Sequence, residues 1–449
     1  MPVRRQLRPR YVAVAALGLV LLVLAACGSS GSSTSAGPAK GFKPGVLDKQ
    51  YSGTTIEVLV PSWAAQPKAS IAAFTRVTGI KVHQQTLDFN TLHDKIVTSE
   101  AAGNSPADVT EVDWTWVSQF GKARWYADLG KFLPGSTIST DVGSPIFQLD
   151  GKQLAVPYNL DFRGMVVDMT VLKKAGITSA PTTWQQVITA GQALRSKAGL
   201  ANPIALPLSI TEGSATPWYA LTKAAGGQVL DKDQNPAFGG SGSAGADALT
   251  FVKSLYGDKL LAPGSVNLSD QDVTNEFLSG QAAIIPSASP GLLSAAKGAD
   301  NSKIADHDVQ FVSVPGKTAA ASNLVGLQEG LGIPARSKHR EAAAEFVYWW
   351  QQTKAQVTSY TDPNMGNVPS QKDALAALVG QNKLLGGAAI VRLSKEVGPA
   401  FSGPAPTWYS QFSTDVASML QSVAEGHRSA AAGIKQLEQQ TKSLKASGK

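Results

Sequence analysis

Short apolar runs alternate with longer segments of helical periodicity after residue 50. The run Thr55–Val60 (TIEVLV) predicts a buried strand. It is followed by Ala69–Thr78, whose apolar residues recur at helical spacing up to Gly79, and then by a second strand-like run, Ile80–Gln84. Because a strand, a helix and a strand in this order form a βαβ unit, the pattern predicts a mostly parallel sheet.

The same alternation continues toward the carboxyl end of the chain. It predicts a strand at Val309–Val314 and helices at Thr91–Ala102, Thr183–Lys197, Ala244–Tyr256, Asp270–Ser279, Arg340–Thr358 and Thr407–Glu425. Elements of both kinds along the whole chain predict an α/β fold. A chain of about 400 residues is too long for one small core, and no polar linker divides its middle. We therefore expect two lobes that exchange strands.

The amino terminus has the layout of a secretory signal. Four arginines between residues 4 and 10 precede Tyr11–Ala26, which contains no charged residue. That apolar segment is shorter than the roughly 20 residues that a membrane-spanning helix needs. We therefore predict that residues 1–26 are a signal peptide and that the chain is exported.

The single cysteine of the sequence follows this segment directly. Leu24, Ala25 and Ala26 before Cys27 resemble the bacterial lipoprotein signal, in which the peptide is removed before the cysteine and the thiol receives a diacylglyceryl group. A lone cysteine excludes a disulfide bond within the chain and a thiolate metal cluster. Lipid on Cys27 would anchor the protein to the outer face of the cell membrane. The alternative is an ordinary signal peptide, or an uncleaved anchor that happens to contain this cysteine.

We predict that residues 27–50 are a lipid attachment site followed by a flexible tether. From Gly28 to Gly45 they are mostly glycine, serine, alanine, proline and lysine, which are too poor in large apolar groups to pack. As a flexible coil, about twenty residues would reach roughly 25 Å, enough to hold a domain above the lipid headgroups.

Charge and composition argue against nucleic-acid binding and against a cofactor. The formal net charge is +7, and removal of the four signal arginines lowers it to +3, which is no basic footprint. The stretch Gly240–Gly245 (GSGSAG) fits the G-x-G-x-x-G pattern, but the polar residues before it do not form a buried strand. The five histidines are scattered along the chain, so no metal site is predicted.

Seven motifs carry a resemblance to a known family. They are FTRVTGIKVHQQ (74–85), AAGNSPADVTEVDWTWVSQF (101–120), DGKQLAVPYNLDFRGMVVD (150–168), LKKAGITSAPTTWQQV (172–187), EFLSGQAAII (276–285), GLGIPARSKHREAAAEFVYWW (330–350) and VPSQKDAL (368–375). Their order and spacing resemble those of the extracellular solute-binding proteins of family 1, the carbohydrate type, which serve bacterial ABC importers.

The resemblance implies a class II periplasmic-binding-protein-like fold, in which two lobes enclose a ligand cleft and three segments cross between the lobes. We place the crossovers near Tyr158, Gln310 and Asn367. The expected division is residues 51–158 plus 310–366 for lobe one, and 159–309 plus 367–449 for lobe two.

A sugar offers apolar C–H faces and a rim of hydroxyls, so its site needs flat aromatic rings and planar polar side chains. In the family, such contacts come from the loops after lobe-one strands, from the position four residues after the proline at the first crossover, and from an aromatic pair at a helix start. Carried over to this chain, the resemblance and the neighbouring aromatic and polar residues give the ligand-binding candidates Trp63, Asp113, Trp114, Asp161, Arg163, Trp218, Ser287, Trp408 and Tyr409.

Two of these candidate positions have a second interpretation. Asp161 and Arg163 share one strand face, where they either clamp vicinal hydroxyls of a ligand or simply pair with each other. Ser287 stands where many sugar binders of the family carry an aromatic wall, and its presence favours a smaller or differently shaped solute.

Together these features predict the lipid-anchored, extracytoplasmic substrate-binding component of an ABC transporter. It would be a monomer that captures a sugar or oligosaccharide by lobe closure and delivers it to a membrane permease. One alternative is a binder of a non-sugar solute such as a polyamine, a metal chelate or a peptide. The other is a glycoside-active enzyme using two carboxylates among Glu111, Asp113 and Asp161, although the chain has no G-x-S-x-G or H-E-x-x-H motif.

Overall fold

The structure is a computed structural model that describes residues 37–240, 242–297, 302–362 and 367–448. The predicted signal peptide and the predicted lipidation residue, Cys27, lie outside the described residues. Within the described ranges, no helix combines the length and the apolar content needed to cross a membrane.

The described residues form strands and helices along the whole chain. The strands are β1 Thr55–Pro61, β2 Lys81–Leu87, β3 Val109–Asp113, β4 Gln148–Leu149, β5 Lys152–Gln153, β6 Ala155–Pro157, β7 Gly164–Asp168, β8 Ile284–Ala288, β9 Val309–Val312, β10 Leu324–Gly326, β11 Glu329–Gly332 and β12 Val397–Pro399. The helices are α1 Lys68–Thr78, α2 Phe89–Ala101, α3 Val117–Lys122, α4 Gly135–Thr140, α5 Met169–Lys174, α6 Trp184–Lys197, α7 Glu212–Ala224, α8 Ala244–Gly257, α9 Asp270–Leu278, α10 Leu292–Lys297, α11 Arg340–Trp350, α12 Thr353–Thr361, α13 Lys372–Gly380, α14 Gly387–Ser394, α15 Tyr409–Ala424 and α16 Ala430–Ser447.

The first sheet has five strands in the order β2-β1-β3-β11-β6. β1 is parallel to β2 and β3, whereas β11 runs antiparallel to β3 and β6. The predicted βαβ unit is confirmed, because α1 connects β1 to β2 and ends at Gly79, which has a left-handed backbone with φ of 73°. A Cβ at this position would lie 2.1 Å from the hydroxyl oxygen of Ser52, so the turn requires glycine.

A second sheet has three strands in the order β8-β7-β9, with β7 antiparallel to both neighbours. Two smaller pairs join β10 to β12 and β4 to β5. Helices α5 to α10 and α13 to α16 contribute buried residues to the core that covers this second sheet.

The two sheets have separate hydrophobic cores. Alternate residues of a strand point to opposite faces, so Val58 of β1 enters the core shared with α11, whereas Leu59 enters the core shared with α2 and α3. Val166 of β7 belongs to the larger core built on the second sheet. We call these the first core region, on both faces of the first sheet, and the second core region, around the second sheet.

The backbone passes between the two core regions at three places, the number that the resemblance implies. They are residues 158–160, 327–331 and 355–360, where buried residues change from one core to the other. The last passage lies before the predicted position near Asn367, and the middle passage differs from the predicted one near Gln310. That residue lies within β9 and pairs with Val167 of β7, and the chain stays in the second core region through β10, which pairs with β12, before it crosses.

The described part of the predicted tether, residues 37–50, packs on the first core region. Phe42 contacts the ring of Phe132, with centroids 5.9 Å apart, and Leu47 also packs against this core. The backbone N–H of Ala39 donates to Glu341 over 2.8 Å. Residues 37–50 therefore belong to the folded unit and are not a free coil, because two large apolar side chains anchor a segment whose composition is otherwise that of a linker.

Candidate functional site

Three acidic side chains meet at one end of the first sheet. Glu111 and Asp113 lie on the same face of β3, and Glu329 begins β11 directly opposite Asp113. Carboxylate oxygens of the three residues lie within 4.8 Å of one another. Carboxylates at this separation are also the ligands that Ca²⁺ and Mg²⁺ take, so these residues could hold a metal ion. The predicted absence of a metal therefore stays a prediction.

Glu111 and Asp113 are buried in different ways. Asp113 is 5 % exposed, and its Oδ1 accepts hydrogen bonds from the backbone N–H of Thr115 at 2.8 Å and from the Thr115 hydroxyl at 2.5 Å. Glu111 is fully buried, and neither of its carboxylate oxygens forms a hydrogen bond of good geometry, although the Tyr158 hydroxyl lies near enough to oppose the rise in the pKa of Glu111. Burial raises the pKa of both carboxyls well above their ordinary values, and the neighbouring Glu329 charge raises them further.

Glu329 connects this buried pair to the protein surface. Its Oε1 accepts the indole N–H of Trp63 over 2.9 Å, and its Oε2 accepts from the Tyr158 hydroxyl at 2.9 Å and the Asn159 amide at 2.7 Å. Burial, with a contribution from the negative charge of Asp161, raises the pKa of Glu329 to about 7. Trp63 itself is 40 % exposed, so Glu329 is in contact with a side chain at the protein surface.

The second core region contributes another set of charged groups. Arg163, just before β7, pairs with Asp161 at 3.3 Å, and its other guanidinium nitrogen donates to Thr216 of α7 over 3.4 Å. Glu212, the first residue of α7, accepts the hydroxyl of Tyr409 over 2.8 Å. Burial raises the pKa of Glu212, while the Tyr409 hydrogen bond and the Arg163 charge oppose that rise.

Aromatic rings join the two sets of acids. Trp114 follows β3 of the first sheet but packs into the second core region, with its ring centroid 5.2 Å from Tyr409 and 5.5 Å from Phe401. Trp114 and Tyr409 are 4 % and 3 % exposed. The rings therefore cover the acidic groups at the junction of the two core regions.

Six predicted site residues come together at this junction. They are connected by shared contacts, or by the effect of one charge on the pKa of a neighbouring group. The six are Trp63, Asp113, Trp114, Asp161, Arg163 and Tyr409. Asp161 and Arg163 do pair with each other, which is the second of the two interpretations given above. Trp408 is 4 % exposed and packs edge-on against Phe412, and Ser287 is buried in β8 with no partner for its hydroxyl.

Trp218 lies inside the second core region and presents no face to the junction. It is fully buried, its indole N–H donates to the carbonyl of Gly245 over 3.1 Å, and its ring packs edge-on against Phe238. The helical spacing of α7 turns this residue inward, which a local motif comparison does not reveal.

A Trp218→Phe variant tests this placement. We expect it to lower the free energy of unfolding by about 1–2 kcal/mol, because it loses a buried hydrogen bond and part of a packed ring. Affinity of the folded protein for its solute should stay unchanged. Urea unfolding and calorimetry on the same sample measure both quantities, and a clear loss of affinity would return Trp218 to the binding site.

Three residues of the junction were missed by sequence reasoning: Glu329, Glu212 and Tyr158. Glu329 reaches the site only because β11 pairs with β3, a contact between residues more than 200 positions apart. Glu212 has the pattern of an ordinary acidic residue in the first turn of a helix. Tyr158 was used only to mark the first crossover, although a hydroxyl beside a strand end is a recognisable polar signal.

Residues 61–357 match the bacterial extracellular solute-binding protein family. The chain belongs to this family. The predicted class II periplasmic-binding-protein-like fold is confirmed for this solute-binding protein by solved structures. One of them is the ABC transporter solute-binding protein of Agrobacterium radiobacter K84 in complex with ribitol, with a TM-score of 0.77, 18 % identity, and coverage of 90 % of this chain and 100 % of that one.

Two curated relatives are similar in sequence. A binding protein of Brucella abortus (strain 2308) is 24 % identical over 270 residues, or 59 % of this chain, and the match spans 63 % of that relative's length. The diacetylchitobiose binding protein DasA of Streptomyces coelicolor is 26 % identical over 346 residues, covering 74 % of this chain and 76 % of the relative. Both relatives, and the family itself, are described as binding proteins.

Proposed function

We propose that this protein is the substrate-binding component of an ABC transporter and that it captures a sugar or a related polyol at the junction of its two core regions, which act as the two lobes. The observation that carries the proposal is the convergence of Trp63, Trp114 and Tyr409 with planar carboxylate and guanidinium groups from both regions. Aromatic faces bind the C–H surface of a sugar ring, and planar polar groups bind its hydroxyls.

The ligand would enter when the two lobes separate. Trp114 and Tyr409 are almost fully buried against each other, so the junction has to open before a sugar ring fits between them. The passages at residues 158–160, 327–331 and 355–360 would be the hinges, since they are the segments where the chain changes core. The proposed lobe one is thus residues 51–158 with roughly 328–357, and lobe two is most of the remainder.

Lipid on Cys27 would hold this protein beside its permease, outside the cytoplasm and as a monomer. Support comes from the Leu24–Cys27 signal and from the extracellular character of the family. Residues 37–50 pack on lobe one, so only the segment before residue 37 would act as the tether.

Calorimetry on the mature chain tests the proposed function. The panel should hold pentitols, hexitols, monosaccharides and disaccharides, together with putrescine, spermidine and chelated iron as non-sugar solutes. Binding of at least one sugar or polyol in the micromolar range or tighter is expected, with the negative heat-capacity change of apolar burial. Binding confined to the non-sugar solutes would contradict the proposal.

A hydrolysis assay on the sugars that bind addresses the enzyme alternative. Glycosidases need their two carboxyl groups roughly 5–5.5 Å or 6.5–9.5 Å apart. The carboxylate oxygens of Glu111 and Asp113 lie within 4.8 Å, and burial raises the pKa of both, so neither is set apart as an ionised base. We expect no turnover.

Trp63→Ala should weaken sugar binding roughly tenfold while leaving stability nearly unchanged. The exposed ring offers a stacking face at the entrance, and its indole N–H orients Glu329, but little of it is buried in a core. Calorimetry gives the affinity and urea unfolding the stability. Trp125→Ala is the matched control, because Trp125 packs on Phe120 away from the junction and should not change affinity. Equal affinity of Trp63→Ala and the wild type would remove Trp63 from the site.

A further inference from the structure

The junction holds more carboxyl groups than its own basic residues can pair with. Five carboxyl groups influence one another there, those of Glu111, Asp113, Asp161, Glu212 and Glu329. Arg163 forms an ion pair with Asp161. Among the described residues, no lysine, arginine or histidine lies within 4.0 Å of the carboxylates of the other four. A neutral sugar would leave this imbalance in place.

Glu111 is the group that points most directly to a missing partner. It is fully buried, and neither of its carboxylate oxygens forms a hydrogen bond of good geometry; the nearby Tyr158 hydroxyl, which donates to Glu329, only partly offsets the rise in the pKa of Glu111. Buried polar groups in folded proteins are nearly always hydrogen-bonded, and a buried carboxylate without a partner is especially unfavourable. Thr115 donates to Asp113, and Trp63, Tyr158 and Asn159 donate to Glu329. These nearby donors are therefore directed to the two neighbours of Glu111.

The position of Glu111 makes it reachable by a bound ligand. Its carboxylate lies within 4.8 Å of those of Asp113 and Glu329, and Glu329 is in direct contact with the exposed Trp63. A group that enters beside Trp63 therefore meets Glu329 first and the buried pair next.

We propose that the preferred ligand carries a primary ammonium group, as an amino sugar or an amino-alditol does, and that this group is bound by Glu111, Asp113 and Glu329. The inference rests on the proposed sugar-binding function and narrows its ligand class. An ammonium has three N–H donors, one for each carboxyl group, and no acceptor. Its hydroxyl-bearing remainder would contact Trp63, Trp114 and the Asp161–Arg163 pair.

Proton release gives this proposal a signature that a neutral sugar does not share. Burial and mutual repulsion raise the pKa of Glu111, Asp113 and Glu329, so the unliganded site retains protons. A cation in their midst favours the charged carboxylates and expels those protons. The titratable and charged groups around the site come from both core regions. They are Glu111 and Asp113 from β3, Tyr126, Tyr158 after β6, Asp161 and Arg163 before β7, Glu212 and Tyr219 from α7, Asp270 from α9, Glu329 from β11 and Tyr409 from α15.

The test compares sugars that differ only at one substituent. Glucosamine, glucose and N-acetylglucosamine are titrated into the wild-type protein, as are the pair glucamine and glucitol, in two buffers of different ionisation enthalpy. The amino compound of at least one set should bind roughly tenfold or more tightly than its neutral partners and release protons. Its affinity should rise between about pH 5.5 and pH 7. Neutral partners that bind as well, without proton release, overturn the inference and leave the proposed function standing.

Two further titrations distinguish this proposal from binding of a polyamine and from binding of a metal ion. Putrescine that binds when no sugar or amino sugar does contradicts both the inference and the proposed function. Calcium, magnesium or zinc chloride that binds alone, and displaces or excludes glucosamine, assigns the three acids to a metal ion and overturns the inference.

Glu111→Gln should reduce the preference for glucosamine over glucose roughly tenfold, because the amide keeps the shape of the side chain and loses its charge. Glu100→Gln is the matched control, since Glu100 is also a buried glutamate but pairs with Arg336 away from the junction. It should leave the preference unchanged. If Glu111→Gln does not fold, the comparison of amino and neutral sugars on the wild-type protein still decides the proposal.

Discussion

A Trp114→Ala variant is expected to bind the best sugar ligand roughly a hundredfold more weakly than the wild type and to lose about 3 kcal/mol of its free energy of unfolding. Trp114 follows a strand of the first sheet yet belongs to the core of the second. Its ring packs on Tyr409 and Phe401, which come from the opposite lobe. Removal of the ring takes away the proposed sugar-stacking face and an apolar contact between the proposed lobes.

The matched control is Trp116→Ala. Trp116 is as buried as Trp114, at 4 % exposure, but it packs on Phe89 and Phe120 within the first core region. It should cost a similar amount of stability and leave the affinity of the folded protein unchanged. Calorimetry and urea unfolding on both variants provide the comparison. Equal losses of affinity in the two variants would mean that Trp114 acts through stability alone and is no part of the site.

Local sequence pattern predicted the elements that position the site. The run Thr55–Val60, the turn at Gly79 and the helix after Thr183 all depend on residues close together in the chain, and the structure contains each of them. Asp113 and Trp114 were predicted as ligand contacts because the family resemblance places such contacts in the loops after lobe-one strands, and in the structure they stand at the end of β3. The helix predicted over Arg340–Thr358 is two helices in the structure, α11 and α12.

Long-range pairing could not be predicted from local pattern. Glu329 reaches the junction because β11 pairs antiparallel with β3, and the periodicity of the sequence does not indicate which strands pair. Gln310 was placed at a crossover, but its strand pairs with β7 and stays in the second sheet. The same limit explains residues 37–50, since the composition of a linker does not show that Phe42 meets Phe132. Charge imbalance at the junction likewise becomes visible only when the five carboxyl groups are brought together.

The second large effect concerns pH and Glu329. Its pKa is raised from an ordinary 4.5 to about 7 in the folded protein. Between these pH values the folded state holds a proton that the unfolded chain has released, so stability is highest in acid and falls as the pH rises through 7. We expect the unliganded protein to lose on the order of 2 kcal/mol of its free energy of unfolding between about pH 5 and pH 8 through this residue alone.

Glu329→Gln should reduce that loss, because the amide has no proton to release. Urea unfolding at several pH values, on wild type and variant without ligand, measures the difference between the two slopes. Glu345→Gln is a control of the same kind, since the pKa of Glu345 is also raised to about 7, by burial and by the charge of Asp48, in a different part of the first core region. Identical pH dependence of the wild type and Glu329→Gln would contradict the assignment.

The two glutamines should differ in how pH affects ligand binding. Both variants flatten the dependence of stability on pH, because each removes one carboxyl group that is protonated in the folded state. Only Glu329 shares its surroundings with Asp161, Tyr158 and the exposed Trp63, so only its substitution should also flatten the dependence of amino-sugar affinity on pH. A Glu345→Gln variant that changes the affinity profile as strongly would show that stability, and not the charge at the junction, controls binding. We expect Glu345→Gln to leave the dependence of ligand affinity on pH unchanged. That result would indicate that the ligand itself displaces the proton bound to Glu329.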